Sequence, residues 1–187
     1  MKILSIEDVG SCHFDGKFEN GVMKASRDII EVMASKGHEV YSFCPTGGDL
    51  VPDNWTIKES SMVSKGRHEG KRYSALTYTK EAVQYIREIV PELIICHANR
   101  SDTVIKYLIP FTIPKMIIVH GLPIGGPEQF AIVNLYRRFI ASGGNVVAVS
   151  DYCKSLWDKQ YLDLEMHGEQ GTPVISDSFC FQRAKSI

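Results

Sequence analysis

Three features of the 187-residue chain predict an α/β fold. Short apolar runs alternate with longer segments whose apolar residues recur at helical spacing. The helix crossovers between them imply parallel strands, and parallel strands need both faces covered. Three of them end in residues able to do chemistry: His97, His120 and Ser150. Residues 1–187 therefore read as a single Rossmann-like domain, with a mostly parallel sheet and helices on both faces.

The elements follow in order. Ile3 to Ile6, before Glu7 and Asp8, is a buried first strand. Gly10, Gly16, Asn20 and Gly21 mark a loop. Val22, Ser26, Ile29, Ile30 and Met33 then share a helix face, with Gly37 as the stop. His38 to Phe43 is a second strand, broken by Pro45 and the glycines after it, and Trp55 to Lys58 is a third. A helix is expected from about Thr79 to Val90, with Ala82, Val83, Ile86, Ile89 and Val90 inward. Pro91 ends it.

Leu93 to Cys96 is a strand with His97 at its end, and Ser101 to Ile109 is a short helix closed by Pro110. Met116 to Val119 runs into His120 and Gly121. Pro127 suits the first turn of the next helix, which carries Phe130, Val133, Tyr136 and Ile140 and stops at Gly143-Gly144. Val146 to Val149 is a further strand, and Ser150 caps a helix from Asp151 to about Tyr161. Pro173 to Ser176 reads as a last short strand.

Composition narrows the function classes. A hydrophobic content of 44% with 23% charged residues is that of a globular domain. A formal net charge of -1 excludes partners held by bulk charge, such as nucleic acid or anionic lipid, but not a local basic patch. Five widely spaced cysteines, with no C-x-x-C, suggest reduced thiols and a cytoplasmic setting. The N-terminus is not a secretory signal, and no apolar stretch is long enough for a membrane span.

In a parallel sheet the strand ends share one edge, where ligands collect. Glu7, His97, His120 and Ser150 then line one cleft, with His120-Gly121 as its centre. Each also has a plainer reading, as a hydrogen-bonded loop residue or, for Ser150, a helix cap. Asn20-Gly21 at the first helix reads either as a turn or as a close backbone approach to phosphate. Neither G-x-G-x-x-G nor G-x-x-x-x-G-K-[ST] is present, so dinucleotide and P-loop binding are not supported. Cys12, His13, Cys96 and His97 are poorly spaced for zinc, and no metal site is expected. The basic stretch from Lys58 to Arg72 is a solvated loop or a phosphate contact, and Tyr73 and Tyr78 beside it are candidates for stacking on a base or sugar.

The pattern resembles the N-terminal, acceptor-side domain of GT-B glycosyltransferases of the retaining, family 4-like type. The resemblance rests on the opening MKIL strand, Asn20-Gly21, Gly37-His38-Glu39-Val40, Pro91 through His97, Val119-His120-Gly121, and Val146 through Lys154 with Val149-Ser150 at its centre. It departs where Asn20-Gly21 replaces the family's Gly-Gly pair. The resemblance implies half of a GT-B fold, with residues 163–187 a linker toward a donor-binding domain or second subunit that lies outside this chain. It implies a nucleotide-sugar donor, of UDP or GDP type, and no tightly bound cofactor. His120 would act at the transferring sugar. Asn20, Gly21, His97, Gly121 and Ser150 would bind substrate. The acceptor would be a saccharide or, as in some bacteriophage enzymes, a DNA base. The competing expectation is a non-catalytic Rossmann-like module that binds a nucleotide or a protein.

Overall fold

The computed structural model describes residues 1–7, 21–44, 53–61, 75–98, 102–120 and 128–155. Six strands, β1 (Lys2–Ile6), β2 (Glu39–Cys44), β3 (Trp55–Glu59), β4 (Leu93–Ala98), β5 (Lys115–Val119) and β6 (Gly144–Ala148), form one sheet. Its order is β3-β2-β1-β4-β5-β6, and every neighbouring pair is parallel. This is the doubly wound dinucleotide-fold order, with the direction of winding reversing between β1 and β4. The helices are α1 (Gly21–Ser35), α2 (Ala75–Ile89), α3 (Asp102–Leu108) and α4 (Glu128–Ala141).

Strand alternation distributes these helices. Leu4, Ile6, Phe43, Ile94, Cys96, Ile117, Val119 and Val146 face α2, α3 and α4. They pack against Tyr78, Ala82, Ile86, Val104, Ile105, Leu108, Val133, Tyr136 and Phe139. The opposite face offers Ile3, Val40, Cys44, Ile95 and Ile118, against Ile29, Ile30, Met33 and Ala34 of α1. The expectation of helices on both faces is met.

Helix ends follow backbone chemistry. Gly37 (φ 80) and Gly143 (φ 83) occupy the left-handed region just past α1 and α4. At the end of α2 the same role falls to Val90 (φ 48), which is 68% exposed. Val90 therefore lies outside the inward face expected of it, and its left-handed backbone and Pro91 together end the helix. α2 also begins at Ala75, a turn earlier than Thr79, because Tyr78 supplies a fully buried residue there. In α4, Phe139 rather than Ile140 is the fully buried ring. β6 is shifted two residues toward Gly144 and ends at Ala148, leaving Val149 exposed.

Phe139 also explains Gly144. A Cβ on Gly144 would collide with the Phe139 ring. The same ring lies 5.7 Å from the Lys115 ammonium, and Lys115 pairs with Gly144 across β5 and β6. Lys115 is almost fully buried. It donates to the carbonyls of Ile109 (3.0 Å) and Phe111 (2.5 Å), just past α3. Burial pushes its pKa down.

Candidate functional site

The site lies at the carboxyl edge of the three strands β1, β4 and β5. The pairing of Ile6 with Cys96 puts Glu7 and His97 at the next register position. His97 is paired with Ile118, and His120 follows Ile118 by two residues. Period-two alternation then places Glu7, His97 and His120 on one face, the α1 side. His97 lies inside β4, one residue before its end, rather than after the strand.

The two imidazoles meet directly. His97 Nδ1 and His120 Nε2 are 2.9 Å apart, and the rings stack with centroids at 5.2 Å and planes 29° apart. Burial pushes the His97 pKa down to about 4. His120 is also brought to about 4, by burial first and by the neighbouring His97 second. Both rings are thus neutral at pH 7, and one proton is shared between two nitrogens. His97 is 1% exposed, and its Nε2 has no hydrogen-bond partner among the described residues.

Beside this pair sits a buried carboxyl. Glu7 accepts from Ser5 Oγ at 2.6 Å and from Ser26 Oγ of α1. Burial raises its pKa to about 7, while the hydrogen bonds from Ser26 and Ser5 pull the other way. Its backbone is fixed from the opposite face. The Tyr78 hydroxyl donates toward the carbonyls of Glu7 (2.8 Å) and Phe43 (2.9 Å), and Glu7 N–H donates to Phe43 O (2.9 Å).

The other candidates fall out as follows. Gly21 opens α1, whose first turn carries no acidic residue. Because Ser26 reaches Glu7, that helix start lies near the same sheet edge. Asn20 and Gly121 lie outside the described residues. Ser150 is exposed, and its Oγ accepts from Cys153 N–H (3.1 Å), so the hydroxyl caps the turn at 151–155. Tyr78 is fully buried and cannot stack on a ligand, which corrects the expectation for it. Cys96 faces the α2–α4 core while His97 faces α1, so the two cannot ligate one ion. Cys12, His13 and most of the basic stretch lie outside the described residues. Among the described residues no three His, Cys, Asp or Glu side chains form a metal cluster. Ser26 as the partner of Glu7, and Tyr78 as the donor to the Glu7 and Phe43 carbonyls, were not singled out from sequence in those roles. The one available signal was a serine on the apolar face of the first helix.

The sequence profile of Glycosyltransferase Family 4 matches residues 20–162. The chain belongs to glycosyltransferase family 4. The match takes in α1, β4 with His97, and β5 with His120, and it leaves out β1 and Glu7. Among solved structures, this family 4 domain is similar to WaaG, a glycosyltransferase involved in lipopolysaccharide biosynthesis. Identity is 14% and the TM-score 0.47, over 91% of this chain and 42% of WaaG. It thus spans under half the length of that protein. A UDP-galactose 4-epimerase matches at 9% identity and a TM-score of 0.37, over 89% of this chain and 74% of the epimerase. No curated protein matches the chain in sequence. No helix among the described residues is long and apolar enough to cross a membrane.

Proposed function

We propose that this family 4 domain forms the acceptor-side wall of a site that transfers a sugar from a nucleotide-sugar to a hydroxyl. The observation that carries the reading is the neutral His97–His120 pair at the carboxyl edge of the sheet, beside the start of α1. Sugar transfer builds negative charge on the departing phosphate and positive charge on the sugar. Free N–H groups at a helix start suit the first, most of all with no carboxylate in the first turn. A neutral imidazole suits an attacking hydroxyl, because it accepts a hydrogen bond without adding positive charge. His97 occupies Nε2 of His120, which leaves Nδ1 as the ring nitrogen for substrate. In this reading the donor is a UDP- or GDP-sugar, and a donor-binding domain supplies the opposite wall.

The test is transfer from UDP- and GDP-sugars to saccharide acceptors and to duplex DNA, followed by mass spectrometry of the products. His120→Ala is expected to lower kcat by about 100-fold, the scale of one lost acid–base or polar catalytic group, with an unchanged circular dichroism spectrum. Full activity in the variant refutes the role of His120. Product on DNA rather than on saccharide would reassign the acceptor.

A further inference from the structure

His97 presents a buried ring nitrogen with no hydrogen-bond partner among the described residues, one register position from a buried carboxyl. Buried polar groups are almost always paired, so an orphan of this kind asks for a partner. Glu7 is the only titratable side chain among the described residues at the neighbouring position on the same face. Its two oxygens accept hydrogen bonds from the Ser5 and Ser26 hydroxyls and retain acceptor capacity. A single water between the two would connect it to His97 Nε2, and a bridging water passes on donor and acceptor roles unchanged.

We propose that Glu7 is a positioning residue for His120, acting through His97: it decides whether His120 offers the substrate a lone pair or an N–H. This rests on the reading of His120 as the group that meets substrate. With Glu7 ionised, the carboxylate accepts through that water, and His97 keeps its proton on Nε2 as the donor. His97 Nδ1 is then an acceptor, His120 Nε2 must carry the proton, and His120 Nδ1 is a bare lone pair. That state receives a hydroxyl. With Glu7 protonated, the order reverses along the chain. Glu7 donates to His97 Nε2, His97 Nδ1 donates to His120 Nε2, and His120 Nδ1 carries N–H. That state receives an anionic oxygen instead. The two states differ by one proton, held on the carboxyl in one and released from His120 Nδ1 in the other.

Among the described residues few other groups compete for this control. From α1 the facing group is the Ser26 hydroxyl. The charged side chains of that helix are partly or fully exposed, and Arg27 is paired with Glu31 at 2.8 Å. From β2 the register neighbour on this face is the buried Cys44 thiol, which lies 3.9 Å from the Lys58 carbonyl oxygen, and Ser42, two residues before it, accepts from Trp55 Nε1 at 2.8 Å. From α2, Tyr78 reaches only the backbone carbonyl of Glu7. From β5 the group is His120 itself.

The experiment is long-range proton–nitrogen NMR on the histidine-labelled chain between pH 5.5 and 8.5, with no sugar present. In the wild type, Nδ1 of His120 is expected to change from protonated to bare with a midpoint near 7, and Nδ1 of His97 to change in step. Glu7→Gln is expected to hold one arrangement over the whole range. Ser26→Ala removes a hydrogen bond to the carboxylate and is expected to move the midpoint upward. It decides the matter if Glu7→Gln does not fold. Tautomers that stay fixed in the wild type overturn the proposal. So does a switch that persists in Glu7→Gln, or a midpoint that Ser26→Ala leaves unchanged or lowers. Because the readout needs no transfer, loss of the transferase reading and loss of this one are separable.

Discussion

Replacing Glu7 by glutamine should change how stability depends on pH, by an amount the site itself supplies. The carboxyl titrates near 7 in the fold against 4.5 ordinarily, because burial disfavours its charge. Below about pH 4.5 it is protonated in both states and burial of its charge costs nothing. Between 4.5 and 7 the unfolded chain ionises first, so stability falls as pH rises. Above 7 the full penalty is present. At ~1.36 kcal/mol per pH unit the gap amounts to about 3 kcal/mol. Glutamine keeps the shape and carries no charge. The stability of Glu7→Gln minus that of wild type should therefore rise by about 3 kcal/mol from pH 4.5 to 8. His97 and His120 contribute the opposite slope. Their lowered pKa values favour the fold above about 6.5, and that contribution is lost as pH falls toward 4. Both proteins carry the two histidines, so the difference reports chiefly on the carboxyl and on its coupling to them. Urea unfolding at five pH values, with unchanged slope m, measures the curve. A flat difference, or one that falls with pH, refutes a buried and charge-averse Glu7.

Three further substitutions test the packing that holds the site. Gly144→Ala drives a methyl into the Phe139 ring and should cost about 1–3 kcal/mol by thermal or urea unfolding; a neutral result would mean the ring is free to move. Tyr78→Phe removes the hydroxyl that binds the Glu7 and Phe43 carbonyls and should cost about 1–2 kcal/mol, read as a Tm lower by roughly 2–8 °C. Val90→Gly relieves a left-handed β-branched residue that packs little. It should stabilise the chain by about 0.5–1 kcal/mol, and a loss of stability would show that Val90 is not strained.

Much of the fold was legible because its signals are local. The six strands appeared as short, largely apolar runs, with β3 appearing from Trp55 to Lys58 despite its exposed face. Gly37, Pro91 and Gly143 announced helix ends through their own backbone preferences. Val90 was misread as an inward residue because an apolar side chain at helical spacing looks like core, and only the backbone reveals that the helix has already stopped. His97 and His120 were legible as strand-end histidines on one edge. Their hydrogen bond was not, since it depends on the register of β4 against β5. Glu7 could be placed at that edge but not valued. Its elevated pKa comes from burial, against the pull of the Ser26 and Ser5 hydrogen bonds, and that burial is set by elements far from Glu7 along the chain. Tyr78 was misassigned for the same reason, because a tyrosine near a basic stretch looks available until the sheet closes over it.

Lys115 opens β5 and His120 directly follows its last residue, about 16 Å away at 3.3 Å per residue. The ammonium at the lower end is tied to two carbonyls beyond α3 and lies over the ring that occupies the Gly144 notch. The strand is keyed like a bolt in its socket. Sliding it by one residue would strip the cation from both oxygens and turn Ile117 and Val119 away from their core. The precision with which His120 meets His97 at the top of the sheet is thus set partly from its bottom, by a lysine that approaches no substrate.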